Sequence, residues 1–239
     1  MAVAVAVAGA SSPLNAQAPS ATAKPAVLPP DVAFGRFIAL IRGHLLTGDE
    51  LVKQRDWDVA QPHFMFPLEE IYGVIREDLH GYKTPPFDDA LRALARTVAA
   101  HNAKQYPKTL EKVENALAAA DAGLKMRQPD WPRFTVETAV AVLKTAPEEY
   151  ADAVAKDRIV HPVGYRTARG FMLQADRMIE SVAGALEVKN PDSLREMREG
   201  FAQLKQAFAA INAPKRPPIE EAAMLAIVSR VELAAGKIQ

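Results

Sequence analysis

Between His44 and His80 the chain concentrates groups able to hold a metal ion: His44, Asp49, Glu50, Asp56, His63, Met65, Glu69, Glu70, Glu77 and His80. Three of the five histidines fall in this span. Neutral imidazole together with carboxylate suits first-row divalent metals and iron. Glu70 and Glu77 stand seven residues apart, two turns along one face of an unbroken helix, so their carboxylates could flank one groove. His63 lies on the other side of Pro67 and can fold over that groove, while His44 follows Ile41 at the edge of an apolar stripe. The expected ligand set is therefore His44, His63, Glu70 and Glu77, with Glu69 and His161 in reserve. The ion expected is a transition metal (iron, copper or zinc), with no organic cofactor. His-Glu-x-x-His is absent, as is a pair of Glu-x-x-His motifs of the di-iron kind. Phe64-Met65-Phe66 reads as a hydrophobic wedge rather than a haem or copper contact.

These side chains need helices to position them, and the apolar spacing supplies helices throughout. A first helix is expected from Asp31, as N-cap, to about Gln54, burying Phe34, Phe37, Ile38, Ile41, Leu45 and Val52. A short helix weakened by Pro62 should follow at about Trp57–Phe66, and Pro67 should open the next, ending near Gly81. Phe87, Leu91, Leu94 and Val98 continue the helical period, then Leu110, Val113, Leu117 and Leu124 beyond Pro107. Thr135 is the expected cap of the helix holding Val136, Val140 and Leu143, and Pro147 starts another. Two regular stripes follow: Tyr165 to Leu186, then Leu194 to Ile211, joined at Asn190-Pro191 and expected to lie antiparallel. The last helix, after Pro217-Pro218, is apolar almost all round and is expected to be the most buried.

The fold class expected is all-α: two packed four-helix-bundle-like halves of about 8–10 helices with no sheet. Gln128-Pro129-Asp130-Trp131-Pro132 marks the boundary, giving residues 31–128 and 129–239, with Trp131 plugging a gap between them. Residues 1–30 read as a signal-like Ala-rich segment followed by a Pro- and Ala-rich tether. Ala16-Gln17-Ala18 or Ala21-Thr22-Ala23 would be the cleavage site, although no Lys or Arg precedes Lys24. That layout places the protein in the periplasm or outside the cell, and its apolar run is too short to span a bilayer.

Composition narrows the chemistry. Lys plus Arg and Asp plus Glu are 29 each, which speaks against nucleic-acid binding through bulk charge. The absence of cysteine removes disulfides, thiolate metal sites and thiol nucleophiles. No Walker A, G-x-G-x-x-G or G-x-S-x-G sequence occurs, so no enzyme class is indicated.

A second distinctive stretch runs from Glu148-Glu149-Tyr150 to His161-Pro162-Val163-Gly164-Tyr165 and on to Gly170-Phe171. In Glu149, Tyr150, Ala153, Val154, Ile159, Val160, Tyr165, Ala168, Gly170 and Phe171 the sequence resembles the exported helical domain attached to bacterial Ftr-like high-affinity iron permeases. The stretch is about a tenth of the chain, and its pattern is mostly apolar. The resemblance implies an exported helical module in metal handling. The permease's membrane helices and acidic motifs are absent, which removes transport by this chain. Read from the residues alone, the two tyrosines staple neighbouring helices. Arg166, Arg169 and Arg177 are expected to pair with Glu148, Glu149 or Glu180.

The expected function is an exported, non-enzymatic accessory in metal-ion handling, iron foremost, acting by reversible His and carboxylate coordination beside a membrane transport partner. One alternative is a helical interaction module that docks a partner around Trp57, Phe64, Phe66 and Tyr72. A second is a carrier of a hydrophobic small molecule in a dry pocket.

Overall fold

A computed structural model describes residues 27–238; the signal-like run and most of the tether lie outside the described residues. Helices make up nearly all of it: α1 (Pro30–Lys53), α2 (Trp57–Phe66), α3 (Tyr72–Ile75), α4 (Asp88–Ala99), α5 (Tyr106–Arg127) and α6 (Trp131–Leu143). Then follow α7 (Ala146–Ala153), α8 (Pro162–Ser181), α9 (Ala183–Lys189), α10 (Pro191–Ala207) and α11 (Glu221–Ala235). The all-α architecture is as expected. One two-stranded ribbon, β1 (Val154–Ala155) with β2 (Arg158–Ile159), is added to it. Its turn holds Lys156 and Asp157 at φ 50° and 57°, the left-handed pair that matches strand twist in a two-residue hairpin.

Helix α1 is the axis. It packs against α2 on one side and against α6 and α8 on the other, so one apolar core runs continuously past Gln128–Trp131. Ile38, Ile41 and Leu51 of α1 are wholly buried. Trp131 is half-buried at the start of α6, packed against the core and tilted against Phe134 with the Lys125 ammonium over its ring. Helices α8 and α10 are antiparallel: Glu180 pairs with Arg198 and Asp176 with Lys205, so the numbers run in opposite directions.

Several local expectations change. Asp31 lies inside the first turn of α1, and its carboxylate accepts from Tyr82 Oη (2.8 Å), Arg127 and Gln128 instead of capping the helix. Asp130, accepting from the Arg133 amide, caps α6, while the Thr135 hydroxyl donates back to the Trp131 carbonyl. Pro67 opens no new helix. It begins a π-helical turn, Pro67–Ile71, that runs on from α2, and α3 ends at Ile75. Helix α11 is not the most buried: Leu225 is 46% and Leu233 69% exposed. Its outward face carries many alanines, which favour helix whether or not they are buried.

Candidate functional site

Two glycines let α1 and α8 cross at backbone contact. A Cβ on Gly43 would stand 2.7 Å from the Phe171 ring and 3.2 Å from the Gly170 backbone; one on Gly170 would meet Thr47 Oγ1 and the Gly43 carbonyl. The crossing sets Phe171 edge-on to His44, ring centres 5.1 Å apart. On the other side, Gly48 leaves room for the Phe64 ring, which seats α2 against α1 and places His63 opposite His44. Nδ1 of His44 and Nδ1 of His63 are 3.5 Å apart. Both residues are buried, and Phe66 closes a third side of His44 at 5.6 Å.

Burial drives both imidazoles down to about 3, so both are neutral at neutral pH and keep a free lone pair. The Arg166 guanidinium, and His44 in its protonated form, push His63 the same way. Nε2 of His63 has no hydrogen-bond partner, nor have Nε of Arg166 and Oγ1 of Thr167. These are the three buried side-chain polar atoms without one among the described residues. All belong to α2 and the N-terminal part of α8, a concentration that is unusual because buried polar groups are nearly always satisfied.

The four-residue ligand set does not assemble. The structure brings His44 to His63, but Glu70 is exposed, and Glu77 is exposed beside Arg76 at 3.0 Å. Glu69 and His161 are exposed as well. No group of three or more His, Asp or Glu side chains converges on an ion position among the described residues.

Glu70 instead has a neighbour that its spacing to Glu77 concealed. Glu149, half-buried on α7, is pushed up to about 7 by burial first and then by the charges of Glu70, Asp152 and Glu148. The Glu148-Glu149-Tyr150 sequence was visible as distinctive, but nothing local connects it to position 70.

The tyrosines do act as staples, though on the connection between α10 and α11. Tyr150 Oη donates to the Ile219 carbonyl (2.7 Å) and Tyr165 Oη to that of Ala210 (2.8 Å), with Phe208 against both rings. The arginines of α8 take other partners than expected. Arg169 holds Glu50 through two bonds (2.7 and 3.2 Å) and donates to the Phe208 carbonyl, and Glu180 is taken by Arg198. Arg166 and Arg177 form no ion pair with a described residue.

The expected aromatic docking groove is not an exposed patch: Phe64 and Tyr72 are buried, Trp57 and Phe66 half-buried. Two clefts that share Arg42, Gln174 and Arg177 are open and carry charged side chains, unlike a dry apolar pocket. No described helix is long and apolar enough to cross a membrane.

Residues 126–238, a little under half of the chain, match the family model of the iron permease-associated 4-helix bundle domain. The match takes in Glu149 to Phe171, so the resemblance carried by that stretch holds. Phe171, Arg166 and Thr167 fall inside it, His44 and His63 outside. No curated protein and no solved structure gives a significant match.

Proposed function

We propose that the chain is an exported helical accessory of an iron-uptake system that holds metal reversibly through His44 and His63 and performs no turnover. The link to iron uptake comes from the domain family matched by residues 126–238. The signal-like layout of the first residues supports export. A membrane transport component is the partner this reading implies.

The observation that carries the metal step is the meeting of two neutral imidazoles. Imidazole nitrogens sit about 2.0–2.1 Å from a bound divalent ion, so two of them on a tetrahedral ion are about 3.3 Å apart. The two Nδ1 atoms are 3.5 Å apart already. Neither ring has to lose a bound charge-compensating proton first, since both are neutral at neutral pH. The other coordination positions fall to water or to a group brought by the partner, which makes holding weak and reversible. An ion bridging α1 and α2 binds the folded state only and stabilises it by mass action.

Calorimetry on chelator-stripped protein tests this with Fe(II) under anaerobic conditions, Cu(II) and Zn(II). At least one ion should raise the Tm, and His44→Gln should abolish the rise. A Tm unmoved by all three ions overturns the metal step.

A second reading, a protein-interaction module, draws on α11, where Leu225 and Leu233 stand exposed among alanines. Replacing both by Lys should then weaken association with a membrane partner while leaving metal-dependent Tm shifts intact.

A further inference from the structure

Along α8, away from the histidines, lie two clefts of about 600 and about 240 Å³ that share Arg42, Gln174 and Arg177 in their walls. Gln174 is only 6% exposed, lines both clefts, and its carboxamide has no hydrogen-bond partner among the described residues. The side chain is packed, yet its carboxamide is not among the sealed unpartnered atoms, so it opens onto the clefts with its donors and acceptor uncommitted to protein.

The charges nearby identify the kind of ligand. Arg42 is already bound to Asp121 through two bonds of 3.0 and 2.7 Å. Asp49 is held by Lys53 and Tyr106, and Glu50 by Arg169. Glu114 lines only the larger cleft. In the smaller cleft Arg42 and Arg177 face Asp121 alone, leaving one positive charge in excess, and Arg177 is the cation without an acid. The cleft's hydroxyls are spent on their own helices: Thr135 on the Trp131 carbonyl, Thr138 on that of Phe134, Ser181 on that of Met178. Its remaining wall is apolar and aromatic, with Trp131, Phe134, Leu124 and Met178.

An amide N–H and an uncommitted guanidinium beside an aromatic wall are a receptor for a carboxylate with an apolar body. We infer that this cleft binds a small organic carboxylate, its anionic group held by Arg177 and Gln174 and its apolar part against Trp131 and Phe134. The site is independent of His44 and His63 and differs from a dry carrier pocket, since the charge does the selecting.

Trp131 reports on occupancy directly. The chain has two tryptophans, so a Trp57→Phe variant leaves Trp131 as the sole indole. Its fluorescence is titrated with phenylacetate and, as the cationic counterpart of similar shape, 2-phenylethylamine. Phenylacetate should give a saturable change and the amine none. Arg177→Gln, at an exposed position, should weaken phenylacetate about tenfold or more, the usual worth of a charge-assisted bond. Gln174→Leu should weaken it by a smaller factor. No saturable response, an equal response to the amine, or undiminished binding in Arg177→Gln overturns the assignment. His44→Gln should leave the titration unchanged, so this assignment and the metal reading fail separately.

Discussion

His44 is fully and Glu149 partly withdrawn from water, yet the withdrawal leaves one uncharged at neutral pH and the other titrating there. In the His44–His63 pair burial removes a positive charge, from an ordinary value of 6.5 down to about 3. At Glu149 it resists a negative one, from 4.5 up to about 7, with three further carboxylates adding to the effect. Desolvation always favours the neutral form, so its sign on a pKa depends on which form is neutral. The consequences for stability run in opposite directions. Unfolded histidines take up protons below 6.5 that the folded pair refuses until about 3, so stability is full above 6.5 and falls as pH drops through that window. Folded Glu149 keeps a proton that the unfolded chain has released between 4.5 and about 7, so stability is full below 4.5 and falls as pH rises through that window.

The largest effect expected is on the acid side. Urea unfolding measured from neutral pH down to about pH 4 should show stability falling by up to about 1.4 kcal/mol per pH unit for each buried histidine. His63→Gln should remove about half of that slope; an unchanged slope would break the comparison at its histidine end. Glu149→Gln acts on the other arm. At about pH 8 it should stabilise the protein by about 1 kcal/mol, after allowing for solvent around a half-buried group, and the gain should vanish near pH 4.5. A stabilisation independent of pH would mean that ionisation of Glu149 is not its cause. Glu70→Gln sharpens the same arm: carboxyl NMR titration should find Glu149 moved back toward its ordinary value by a fraction of a unit, with little change in stability. Smallest of all, His80→Ala and His161→Ala change exposed residues and should leave the acid limb within about 0.5 kcal/mol of the parent.

The same contrast explains what could be read from the sequence. The meeting of His44 and His63 was legible, because His44 borders a buried stripe and the Trp57–Phe66 segment is too short to do anything but fold back on α1. The stripes of α8 and α10 were legible because apolar residues recur there at helical spacing and bury. The carboxylates were not. Placing Glu70 and Glu77 on one face assumes a continuous helical phase, whereas the π-helical turn at Pro67–Ile71 is wider and α3 ends at Ile75. The Glu70–Glu149 proximity depends on how distant helices pack, which no local spacing encodes. Helix α11 misled for a different reason: an alanine-rich composition raises apparent hydrophobicity without requiring a partner surface.

The crossing of Gly43 with Gly170 bears on how the family-matched portion could be used by itself. Those two backbones touch, so the helices beyond residue 126 are roofed on one side by helix α1, which the match does not include. Excised alone, they would carry an open trench along α8, floored by Gly170 and walled by Thr167 and Phe171. Such a trench takes a helix at this depth only where glycine stands at the crossing, since a Cβ there would come 2.7 Å from the Phe171 ring, so the groove selects its cover by the absence of a side chain.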